Sequence, residues 1–142
     1  MRKLYALLLT SAFLTGCAAA PSSSTQDEWK PDPHAGDHGP YPTNYQEAVK
    51  AWYEANLKDP ESARYVSFSR PREEHAITNV HEHEAVYGWS TCATVNAKNS
   101  YGGYAGPKTR WFLLRDGEIV TTRDTAMGII YRGRRINCDD GS

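Results

Sequence analysis

Long apolar runs are what this chain most lacks. The longest, Leu4 to Leu14, spans eleven residues, and mean hydropathy is −0.66, so no segment has the length of a membrane-spanning helix. Charge of one sign is missing as well: 16 Lys and Arg stand against 17 Asp and Glu, a net of −1, which disfavours nucleic acid as a partner. Only three cysteines occur, with no Cys-x-x-Cys spacing, which argues against a redox pair. There is no Gly-x-Ser-x-Gly elbow, Walker loop, His-Glu-x-x-His or dinucleotide fingerprint. Gly88-Trp89-Ser90-Thr91-Cys92 breaks the elbow at its last position. Carboxylate pairs are spatial and cannot be read from order alone. Phenylalanine is scarce at three, so four Trp and nine Tyr must supply much of the apolar area of a small core.

What is present begins with an address. Met1-Arg2-Lys3 is a positive n-region, followed by the short apolar stretch and by Leu14-Thr15-Gly16-Cys17. This run resembles the lipobox of bacterial lipoproteins. The resemblance implies cleavage after Gly16, acylation of Cys17 and, with Ala18 rather than Asp behind the cysteine, an outer-membrane anchor with the domain in the periplasm. Two or three acyl chains hold firmly where one binds reversibly. The organisation expected is a signal peptide over 1–16, lipidated Cys17 with a flexible tether over 17–43, and a single domain over 44–142. Pro21 to Thr25 and the Pro- and Gly-rich 30–40 can hold neither helix nor paired strand. Within the tether His34, Asp37 and His38 are weak metal donors that lack a rigid frame. Without Arg2 and Lys3 the balance is 14 basic to 17 acidic. Residues 17–97 carry 6 basic and 12 acidic, and residues 98–142 carry 8 basic and 5 acidic.

The domain pattern is α+β. Tyr45, Ala48, Val49, Trp52, Tyr53 and Leu57 follow helical spacing after Thr43 or Asn44 as N-cap, and predict an amphipathic helix over 44–58. Pro60 opens a short helical turn. Residues 65–69 read as a strand, 70–75 as a polar break, 80–86 as a strand, and 87–97 as the central strand with Tyr87, Trp89, Ala93, Val95 and Ala97 on one face. Arg110 to Arg115 is apolar on both faces, as a central strand should be. Asp116-Gly117 predicts a two-residue hairpin pairing Arg115 with Glu118, Leu114 with Ile119 and Leu113 with Val120. Residues 125–138 form either a last strand or an irregular cover. The fold expected is an N-terminal amphipathic helix packed on an antiparallel sheet of four or five strands, with one disulfide. With Cys17 lipidated, Cys92 and Cys138 remain as an even pair in an oxidising compartment, closing a loop of about 47 residues worth at most ~4 kcal/mol.

Two constellations could carry chemistry. If 80–86 is extended, His81 and His83 share one face as a partial zinc or copper site, with His75 the nearest third donor; an exposed charged strand is the plainer reading. The second is the run Asn96 to Tyr104. Asp59-Pro60-Glu61-Ser62-Ala63-Arg64-Tyr65 together with Cys92 to Tyr104, including Val95-Asn96-Ala97-Lys98-Asn99-Ser100-Tyr101-Gly102-Gly103-Tyr104, resembles a pattern in small exported proteins of proteobacteria, mostly of uncharacterised function. That resemblance implies a domain identity over about 44–115 and no activity. In an extended strand Asn96, Lys98 and Ser100 would share a face, and with Asn99, Tyr101 and Tyr104 they make a candidate binding loop for a glycan or a partner's loop. Ordinary turn chemistry explains the same residues. The function expected is a membrane-anchored, non-enzymatic binding or accessory module of the cell envelope, with an envelope protein or glycan as partner and no cofactor. The alternative is a small hydrolase acting on envelope polymers.

Overall fold

The computed structural model describes residues 29–131 and 134–140. The segments expected to be a signal peptide and a lipobox, with Cys17, lie outside the described residues. Helix α1 (Tyr45–Asn56) is followed by a 3-10 turn (Pro60–Ser62) and five strands: β1 (Arg64–Phe68), β2 (Arg72–Asn79), β3 (Glu84–Asn96), β4 (Lys108–Arg115) and β5 (Glu118–Asp124). After a second 3-10 turn (Thr125–Met127), β6 (Ile129–Tyr131) and β7 (Arg134–Arg135) form a small separate pair. The main sheet is antiparallel, with β3 at its heart. Along one edge β3 pairs first with β2 (Arg72↔Ser90 to Asn79↔Glu84) and then with β1 (Phe68↔Ala93 to Arg64↔Asn96). Its other edge pairs with β4 (Trp89↔Leu114 to Val95↔Lys108), and β4 pairs with β5.

Both faces of this sheet are covered. On one, α1 lays Val49 and Tyr53 against Ala93, Val95, Phe112 and Leu114, with Trp52, Tyr65 and Phe68 at the margin. Burial of the Tyr53 phenol pushes its pKa up to about 12, so the ring stays neutral. On the other face Ala76, Cys92, Trp111 and Leu113 meet Ile136 and Cys138. The Cys92–Cys138 disulfide ties that covering segment to the central strand. Trp111, Phe112, Leu113 and Leu114 are each 0% exposed, because β4 feeds both layers. Asn44 stands at the N-cap position of α1 without a side-chain capping bond; its side chain lies against Gly117 instead.

The Asp116-Gly117 hairpin forms with φ of 53° and 81°, the positive pair that an Asn-Gly or Asp-Gly turn requires. Arg115 faces Glu118 and Leu114 faces Ile119, but Leu113 faces Thr121 rather than Val120. Val120 is bulged out and 43% exposed. A matching irregularity in β1 skips Val66, leaving it 59% exposed and bringing Tyr65 and Phe68 to the same side, stacked at 5.7 Å. Both bulges sit on strands at the sheet's margins, where they spoil the template for a further strand.

Two sequence expectations are corrected. Residues 70–75 do not break the chain: β2 starts at Arg72, and Glu74, His75 and Ala76 are buried in it. Residues 80–83 are the turn between β2 and β3, not part of a strand. Asn79 Oδ1 accepts the backbone N–H of His81 (3.1 Å) and of Glu82 (3.3 Å), and His83 takes φ 55°. Such an Asn-led turn gives the backbone a local alternative to the ladder.

The third difference concerns residues 29–42, assigned to the tether for their Pro and Gly. They form neither helix nor paired strand, yet they are docked as a strap. Trp29 stacks on His83 at 5.0 Å, His34 Nδ1 meets Glu73 Oε2 at 2.9 Å, and Trp89 Nε1 donates to Gly39 O at 3.1 Å. Arg115 reaches Asp37 Oδ2 at 3.1 Å, His38 and Pro42 are buried, and Gly36 lies so close to the Tyr87 ring that a Cβ would collide with it. These residues belong to the folded body rather than to a tether.

The His34–Glu73 contact predicts that the strap's hold varies with pH. The hydrogen bond to Glu73 raises the His34 pKa above its ordinary 6.5, and the same bond lowers Glu73 below 4.5. The stabilisation from His34 is complete below 6.5 and disappears as pH climbs through the raised folded value. That from Glu73 is complete above 4.5 and disappears as pH falls through the lowered one. The contact is therefore strongest between those two values. Hydrogen exchange of the strap amides, corrected for intrinsic rates, should show looser docking at pH 9 than at pH 6, and His34→Gln should remove the difference. Equal protection at both pH values would refute it.

Candidate functional site

The loop that follows β3 is built by one side chain. Asn99 Oδ1 accepts the backbone N–H of Tyr101 (2.9 Å) and of Gly103 (3.1 Å), while the Asn99 N–H donates to Gly103 O (2.8 Å) and Gly102 N–H to Asn99 O (3.0 Å). Lys98 and Tyr104 form a single bridge across its base, and Gly102 supplies φ 82° at the turn. Asn99 is thereby committed to the loop's own architecture.

Other members of the predicted set are also engaged. The Lys98 N–H donates to Ser62 Oγ at 3.1 Å, and its ammonium lies 4.0 Å from Asp59 Oδ2. Ser100 Oγ accepts from Lys58 Nζ at 2.9 Å. Asn96 ends β3 half-buried, with its Oδ1 buried and unpartnered among the described residues. Because the strand stops there, Asn96, Lys98 and Ser100 do not form one continuous face. Tyr104 is partly covered by the Arg64 guanidinium, 4.3 Å above its ring centre. Tyr101 alone of the set stands clear, 97% exposed at the tip.

Beside this loop lies a groove of about 280 Å³ between the end of α1 and the start of β4. It is lined by Trp52, Asn56 and Leu57 at the end of α1, by Lys98 and Asn99 of the loop, and by Lys108 and Arg110 of β4. Arg110 lies 5.2 Å over the Trp52 ring and 3.8 Å from Asp124 Oδ2. The three cations outnumber the one carboxylate that lines the groove, so it favours an acidic or hydroxyl-rich guest. Sequence order gave no sign of this groove, since it joins residues some fifty positions apart through a helix-to-sheet contact.

The histidines do not converge. His81 and His83 are exposed in the β2–β3 turn, with His83 stacked on Trp29, whereas His75 is buried within β2 opposite Tyr87. His34, Asp37 and His38 each have a different neighbour, Glu73, Arg115 and the Pro33 carbonyl. Among the described residues no three His, Cys, Asp or Glu side chains form a cluster able to hold a metal ion. No family model, curated protein or solved structure matches this chain.

Proposed function

We propose that the chain is an envelope lipoprotein, anchored in the outer membrane through acylated Cys17, whose periplasmic domain is a non-enzymatic binding or accessory module. An envelope protein or glycan is its partner, held by the 97–104 loop and the neighbouring groove. The observation that carries this reading is Tyr101: an aromatic ring 97% exposed on a loop closed by its own hydrogen bonds. A loop backbone held in place before binding loses little conformational freedom when it is covered, and exposed aromatics of this kind dominate interface energetics. Twelve peptide steps separate Cys17 from Trp29, the first described residue, so the anchor and the strap are at most about 40 Å apart.

Tyr101→Ala should weaken partner binding by about 1–3 kcal/mol and leave melting unchanged. Tyr104→Ala should instead lower stability by about 0.5–1 kcal/mol, because it removes the ring beneath Arg64. The measurement is recovery of cross-linked envelope partners alongside melting of each variant. Full recovery with Tyr101→Ala ends the binding reading. The anchor is tested separately: Cys17→Ser should abolish incorporation of labelled fatty acid and membrane retention, and unchanged labelling would overturn it.

A further inference from the structure

A second cavity, of about 530 Å³, opens where the strap meets β2 and β3, and the segment behind the disulfide closes one side. Most of its charges are already matched. Asp140 Oδ1 accepts the Arg70 backbone N–H at 2.8 Å and its Oδ2 lies 3.7 Å from Arg70 Nε; His34 holds Glu73 at 2.9 Å. Arg72 is the exception. Its side chain lines the cavity and has no hydrogen-bond or ion-pair partner among the described residues, and its Nε is buried. The buried Nε does not open to the cavity, so the rest of the unpaired guanidinium, at the cavity wall, is what can donate to a bound anion.

The rest of the wall describes the anion. Arg70 pairs with Asp140 and Glu73 with His34, so Arg72 is the one cationic side chain of the cavity without a partner among the described residues, which suits a monoanion better than a phosphate dianion. The planar guanidinium fork matches a carboxylate. Trp89 and Tyr41 stand beside it as two steeply inclined rings, 5.1 Å between centres at 73°. The Trp89 ring is fixed by its bond to Gly39 O, and Tyr41 is 46% exposed. The two rings meet edge to face and together present an aromatic surface beside Arg72 on which a ring-shaped body can lie. Glu73 and Asp140 retain unused oxygen lone pairs, which accept from hydroxyls and repel a second negative charge. We propose that this cavity binds a sugar acid, one carboxylate on a hydroxyl-bearing ring, with the carboxylate on Arg72 and the ring against Trp89 and Tyr41. The site is separate from the Tyr101 loop and does not rest on the function proposed for it.

Glucuronate is the probe, titrated into the full chain in detergent by calorimetry, with glucose and acetate as the neutral and ringless controls. Saturable glucuronate binding is expected, tighter than either control. Arg72→Met should weaken it at least about tenfold, Arg72→Lys by less, Tyr41→Ala several-fold, and Tyr101→Ala not at all. Absence of saturable binding overturns the proposal, as does glucose or acetate binding as tightly as glucuronate, or full affinity in Arg72→Met. Should Arg72→Met fail to fold, Arg72→Lys and Tyr41→Ala carry the same test. Full affinity in both of those variants would then overturn it. Because Tyr101→Ala reports only on the loop, failure there and failure at Arg72 are told apart.

Discussion

Phe112→Ala is expected to remove about 3–5 kcal/mol of folding stability, a large share of the ~5–15 kcal/mol that holds a small domain together. Phe112 is 0% exposed and takes the edges of two helix aromatics, Trp52 at 5.3 Å and Tyr53 at 5.8 Å. It is the point where α1 is fastened to the sheet. Deleting the ring removes its transfer free energy and leaves a cavity bounded by a helix and a paired strand, neither of which can collapse freely. Edge-to-face aromatic contacts worth about 0.5–1.5 kcal/mol each are lost with it. Urea unfolding followed by far-ultraviolet circular dichroism measures the effect. Val120→Ala is the control: the bulged side chain is 43% exposed and should change stability by less than about 0.5 kcal/mol. A loss below about 1.5 kcal/mol for Phe112→Ala would mean that α1 is not held through this ring.

Cys92→Ala with Cys138→Ala is expected to cost about 2–4 kcal/mol and to lower the melting temperature by roughly 10–20 °C. The two cysteines are 46 positions apart, so the bond removes a long loop's freedom from the unfolded chain. Its effect in the folded state is local. Cys138 and Ile136 cover Trp111 and Leu113, and Asp140, two residues on, is bonded to Arg70. Releasing the bond should expose that second core layer while the α1 layer stays intact. Alanine is chosen so that no unpaired hydroxyl is buried at position 92, which is 4% exposed. Hydrogen exchange should show lost protection at the Ile136 amide, which is bonded to Gly128 O in the covering segment, while the amides of α1 keep theirs. A melting temperature equal to that of the oxidised protein would refute this role.

Much of the frame was legible in the order of residues. Helical spacing from Tyr45 to Leu57 placed α1, the Asp116-Gly117 dipeptide placed the hairpin, and four successive apolar residues from Trp111 marked the doubly covered strand. Each of these signals is local and repeats within a few residues, so short-range patterning suffices. The disulfide pair followed from cysteine count once Cys17 was set aside. Position 120 was misread by one register step because a bulge is decided by the sheet's twist and edge, not by the two strands' alternation. β2 was missed because Glu73, Glu74 and His75 look like a solvated run. The burial of Glu74 and His75 arises from strands that arrive later in the chain.

The candidate sites belong to the tertiary structure almost wholly. Asn99 could have been either turn builder or ligand, and only the closed loop assigns it to its own backbone, leaving Tyr101 outward. Pro31, Pro33, Gly36 and Gly39 correctly ruled out helix and paired strand, yet nothing in that composition states whether a coil is solvated or docked. That depends on surfaces the strap does not itself encode: the Tyr87 ring that accepts Gly36, the Trp89 indole that donates to Gly39, and the Arg115 guanidinium that meets Asp37. Local conformation is set by neighbours in sequence, whereas docking is set by free energy gained from residues 39 to 78 positions away.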